Sequence, residues 1–107
     1  MSLSKSYPLA GQRLSRSEIL SRSKALRPIV QIGKNGLSEG SLEEIQKHLK
    51  KRNLIKVKCL RYSINPELDA KTQLDEMAAR ISKKTAAEII SITGFAMVFY
   101  FHERRLS

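Results

Sequence analysis

Apolar positions along this chain change period several times, and each change marks an element. Ser15 and Glu18 stand at capping-box spacing ahead of Ile19, Leu20 and Leu26, which can share one helical face. This predicts a helix from about Arg16 to Ala25. Pro28 closes off helical continuation, and Ile29-Val30-Gln31-Ile32 has the length and β-branched content of a short buried strand. Gly33 to Gly36 breaks that strand. Ser38 or Ser41 can then cap a second helix, Ser41 with Glu44 forming a further capping box, and Leu42, Ile45 and Leu49 lie on its buried face. Asn53 reads as a terminator. From Leu54 to Arg61 the period drops to two, with Ile55, Val57 and Cys59 on one side and Lys56 and Lys58 on a wet, basic side. Asn65-Pro66 marks a turn, and Asp69 opens a third helix whose apolar stripe is Leu74, Met77, Ala78 and Ile81. Ala87 to Thr93 and Phe95 to Phe101 form two strands joined at Gly94 as a tight antiparallel hairpin.

The predicted order is α-β-α-β-α-β-β. Helices long enough for crossovers separate the first three strands, which favours an α/β fold: a single two-layer domain with a four-stranded mixed sheet and the helices packed on it. Residues 1–12 show little apolar periodicity and read as a flexible leader, residues 13–103 as the domain and 104–107 as a short basic tail. In the last strand, alternation buries either Phe99 with Phe101 or Tyr100 with Val98, and core packing is the expected fate of these rings. The role of Tyr62 is not readable.

Composition adds one decisive quantity. Twenty Lys and Arg against ten Asp and Glu give a net charge of +10 and a pI near 10.1, in a chain of 107 residues that holds one ordinary domain. Such a surplus points to a polyanionic partner, because phosphate contacts release condensed counterions. The single cysteine, Cys59, excludes an internal disulfide and reads as a buried structural thiol. His48 and His102 have no zinc-like spacing. Neither a metal nor a cofactor is expected. The apolar runs are far shorter than a membrane span needs, and a reduced, cytoplasmic compartment fits. Ser21 and Lys24 match a Ser-x-x-Lys pattern with no accompanying catalytic machinery, so no enzyme is read from the chain.

The tetrapeptide Gly33-Lys34-Asn35-Gly36 joins a strand to a helix. Glycines permit positive φ and clear side chains from a ligand's path, so backbone N–H groups can face an anion. The following helix N-terminus adds partial positive charge, Lys34 a full one, and Asn35 a donor. Two glycines at this spacing are also an ordinary turn. The loop is too short for a nucleotide-hydrolysing P-loop, so clamping a nucleic-acid backbone is its better use.

The segment Arg27-Pro28-Ile29-Val30-Gln31-Ile32-Gly33-Lys34-Asn35-Gly36-Leu37 closely resembles the signature of the CRM domain family, also called YhbY-like. The resemblance continues through Leu42-Glu43-Glu44-Ile45 and Leu54-Ile55-Lys56-Val57-Lys58, and returns at Gly94 and Val98-Phe99-Tyr100. Asn53 stands where members commonly carry an acidic residue, and Phe101 where they commonly carry arginine. The resemblance implies an RNA-binding module similar in fold to the C-terminal domain of translation initiation factor three, with Gly33, Lys34, Asn35 and Gly36 as its Gly-x-x-Gly loop. Single-domain prokaryotic members are associated with maturation of the large ribosomal subunit, so the implied partner is precursor ribosomal RNA, with ribosomal proteins nearby.

Arg22, Arg27, Lys56 and Lys58 are the further candidate contacts. Lys56 and Lys58 make either a phosphate-binding stripe or an ordinary solvated face, and the basic run Lys47, Lys50, Lys51 and Arg52 either a contact or the usual complement of a helix C-terminus. Two other functions suit so basic an α/β chain: an Alba-like DNA- or chromatin-binding protein, and a protein-interaction module in ribosome assembly.

Overall fold

The computed structural model describes residues 15–102; the leader and the basic tail lie outside the described residues. Its elements are α1 (Arg16–Ala25), β1 (Pro28–Ile32), α2 (Glu39–Arg52), β2 (Leu54–Cys59), a short 3₁₀ turn (Arg61–Ser63), α3 (Ala70–Thr85), β3 (Glu88–Thr93) and β4 (Ala96–Tyr100). This is the α-β-α-β-α-β-β order that the sequence predicts. The strands lie in the order β1-β2-β4-β3. β1 and β2 pair in parallel, while β4 runs antiparallel to both β2 and β3, so the sheet is mixed.

Local chemistry sets most boundaries. Ser15 and Glu18 form the expected reciprocal capping box on α1. Ser38, and not Ser41, caps α2: its side chain accepts the Ser41 N–H, and the helix starts one turn before a Ser41–Glu44 box would allow. Gly36, at φ +69°, brings the chain round early enough for this. Asn53 ends α2 in the left-handed region, and its amide Nδ2 donates to the Phe101 carbonyl at 3.0 Å while Phe101 N–H returns a bond of 2.7 Å. Asp69 caps α3 through Thr72. The hairpin turns through Gly94-Phe95, with Thr93 opposite Ala96 and Gly94 at φ +58°.

Alternation puts Val30 and Ile32, then Ile55, Val57 and Cys59, then Met97 and Phe99 on one face. Leu42, Ile45 and Leu49 of α2 and Leu74, Met77, Ala78 and Ile81 of α3 pack against it, forming the two-layer core. Helix α1 goes beyond that expectation. It covers one end of the opposite face, where Ile19 and Leu26 meet Leu54, Ile90, Val98 and Tyr100. Leu20, expected on its buried face, is 40% exposed; Ser23 takes that place, one helical turn after Ile19, with its hydroxyl donating to the Leu20 carbonyl. Because helices cover both faces there, Phe99 and Tyr100 are both buried, not one or the other.

Candidate nucleic-acid interface

The Gly33–Gly36 segment follows the last residue of β1 and closes as a β-turn, with Gly36 N–H donating to the Gly33 carbonyl at 2.9 Å. That bond spends one of the N–H groups which could otherwise face an anion. Lys34 and Asn35 form the exposed tip. The two glycines have different duties. Gly36 needs positive φ, whereas at Gly33 an added Cβ would meet only Leu60 Cδ1 at 3.8 Å, an ordinary contact. The fold therefore tolerates a side chain at Gly33 more readily than at Gly36.

The turn Arg61–Ser63 backs the loop: Leu60 N–H donates to the Ile32 carbonyl at 2.9 Å, and Ser63 O lies 4.0 Å from where a Gly36 Cβ would be. Ser63 Oγ locks this turn by donating to the Leu60 carbonyl at 2.6 Å. Its exposed residues are Arg61 and Tyr62, and Tyr62, at 76%, is the only exposed aromatic residue among those described. Sequence reading missed this pair. Its place follows from strand pairing, since the parallel pairing of β1 with β2 brings the C-terminal ends of both strands to one end of the sheet.

Lys56 and Lys58 share the α1-side face of β2 with Leu54. The expected wet face is thus only partly wet. Leu54 lies under α1, Lys56 is half-buried opposite Val98 and Pro28, and Lys58 is exposed opposite Gln31 and Ala96, one residue short of the loop end. The two positions lead from α1 toward the loop, their Cα atoms about 7 Å apart along the strand.

Arg22 and Arg27 are not beside the loop. They line a cleft at the start of β1 together with Lys51 and Arg52 from the end of α2, over an apolar floor that includes Leu54 and Tyr100. The β1-α2-β2 crossover explains the meeting, because a helix joining parallel neighbours must return to the end where the first strand began. Buried at 3%, Tyr100 cannot stack on a base, and its ring instead meets His102 edge-on at 4.5 Å.

Other reactive groups have structural tasks. Burial pushes the Cys59 thiol up to about 11, so the thiolate that a nucleophile requires is suppressed. Glu88 joins α1 to β3, receiving Arg16 at 2.8 Å and meeting His102 at 2.7 Å; the His102 bond is the main cause of a carboxyl pKa below the usual range. Among the described residues no group of His, Cys, Asp and Glu could hold a metal ion, and no helix is long and apolar enough to cross a membrane.

Residues 14–100, which take in the whole sheet and the Gly-x-x-Gly turn at the end of β1, match the CRS1 / YhbY (CRM) domain. The chain belongs to the CRM domain family. It is 35% identical over 81 residues to a protein of Methanocaldococcus jannaschii named as a probable RNA-binding protein, the match covering 74% of this chain and 56% of that relative. The chain thus spans little more than half the length of this curated relative. Its fold is similar to the solution structure of a hypothetical Staphylococcus aureus protein described as an RNA-binding candidate, with a TM-score of 0.66, 28% identity, and coverage of 94% of this chain and 95% of that one.

Proposed function

We propose that this chain is a non-enzymatic RNA-binding protein that contacts structured RNA through phosphates and shape, and that its target is ribosomal RNA in a precursor large subunit, with ribosomal proteins as neighbours. The observation that carries this reading is the exposed Lys34-Asn35 tip of a Gly-x-x-Gly turn in a CRM domain whose net charge is +10. The names of its similar proteins support RNA as the ligand. In this reading residues 13–103 are the binding unit. Lys34 supplies charge at the tip, Asn35 a donor, and Gly33 the clearance for a backbone to approach. Lys56 and Lys58 extend the contact along β2, and Arg22 and Arg27 add to it from the far end. A-form helices present a shallow minor groove with 2′-hydroxyls and phosphates, which suits recognition by shape.

The test replaces Lys34 and Asn35 by Asp and measures affinity for large-subunit ribosomal RNA fragments at several salt concentrations, with duplex DNA as competitor. Affinity should fall at least about tenfold, and the salt slope should become shallower by about one phosphate's worth. Unchanged affinity and slope would remove the loop from the site, and a preference for DNA would remove RNA as the ligand.

A further inference from the structure

The cleft at the start of β1 encloses about 620 Å³, and Arg22, Arg27, Lys51 and Arg52 line it with no acidic residue among its lining. A helix C-terminus attracts bases by itself, but its dipole amounts to only about half a charge. Lys51 and Arg52 already exceed that, and Arg22 and Arg27 arrive from different segments of the chain. Arg22 also acts on Glu18 of its own helix; Arg27, Lys51 and Arg52 remain as three exposed like charges gathered at one cleft, whose mutual repulsion an anion among them offsets. Glu88 lies opposite Tyr100 in the ladder, at this same end of the sheet, but is engaged by Arg16 and His102.

The place of the cleft defines what it binds. Six residue-to-residue steps of extended chain lead from Arg27 to Gly33, about 20 Å, and Lys56 and Lys58 lie between the two sites on β2. A nucleic-acid strand stacked at 3.4 Å per nucleotide covers that length in about six steps. We infer that this cleft is a second phosphate-binding subsite for the RNA strand held at the Gly33–Gly36 loop, with Lys56 and Lys58 as the track between them. This rests on the RNA-binding reading above and adds a site, a direction and a length to it. The guanidinium groups take phosphates in bidentate fashion.

The experiment uses the full chain and a single-stranded RNA of about twelve nucleotides, long enough to reach both sites. A triple variant, Arg27→Ala, Lys51→Ala and Arg52→Ala, changes three exposed side chains, and a thermal melt verifies that it folds. Its affinity should drop about tenfold to a hundredfold, with a salt slope shallower by about two to three. The charge-keeping variant Arg27→Lys with Arg52→Lys should retain the slope. In ¹⁵N-labelled chain, the amide signals of Arg27, Arg52 and Asn53 should move with those of Lys34 and Asn35. If the triple variant binds as the parent does while the Lys34 and Asn35 replacements weaken binding, the cleft is overturned and the loop stands. The reverse result sustains the cleft and sinks the loop. Failure of the parent chain to bind RNA overturns both. Should uridine monophosphate alone move the cleft signals as fully as RNA does, the site serves free nucleotides, and its assignment to an RNA strand falls.

Discussion

Glycines 33 and 36 look alike in the sequence and separate once the backbone is known. Gly36 sits at φ +69°, where any side chain is strained, so Gly36→Ala should cost about 1–2 kcal/mol in urea unfolding. Gly33 has room for a methyl group against Leu60, so Gly33→Ala should stay within about 0.5 kcal/mol of the parent. Its effect should appear in RNA affinity instead, because the added Cβ stands where a phosphate backbone would approach. Equal losses of stability in the two variants would show that both glycines serve the fold alone. Cys59 illustrates the opposite case, a reactive residue type whose burial removes its chemistry.

At the level of elements, α1 is the one whose position sequence periodicity describes least well. It is held by a small apolar cluster and by the Arg16–Glu88–His102 contacts. The Glu88 carboxyl is harder to protonate in the folded chain than in the unfolded one. Its contribution is therefore complete above the ordinary carboxylate range and is lost as pH falls through the lowered folded value. Glu88→Gln should reduce stability at neutral pH by about 0.5 kcal/mol, a figure kept small by the group's partial exposure. It should also flatten the decline in urea midpoint on the acid side; an unchanged acid profile would mean that the contact contributes nothing. The helices and strands themselves were legible, because caps at Ser15 and Asp69, the terminator Asn53 and the two-residue alternation of β2 are local signals. What stayed hidden depended on pairing. Which side of the sheet α1 covers, how Arg22 and Arg27 come to face Lys51 and Arg52, and why Tyr62 stands behind the loop all follow from strand order, which periodicity does not encode. The loop was readable from its residues, while the cleft required the crossover.

For the whole molecule, the two sites and the β2 track place Lys34, Lys56, Lys58, Arg22, Arg27, Lys51 and Arg52 along one strand-length. If all seven engage phosphates, the logarithm of affinity should fall against that of salt with a slope of about −5 to −6, measured by fluorescence anisotropy. A slope near −1 to −2 would confine binding to the loop. The sheet's outer strands carry a different consequence. An unpaired strand is a template on which another copy can add itself, and both outer strands here are irregular: β1 begins at Pro28, which has no N–H, and shifts register between Pro28 and Val30, while β3 shifts between Ile89 and Ser91. Each interruption shortens the straight run of donors and acceptors available to a second chain. Both borders of the sheet are thereby poorer templates for self-templated growth.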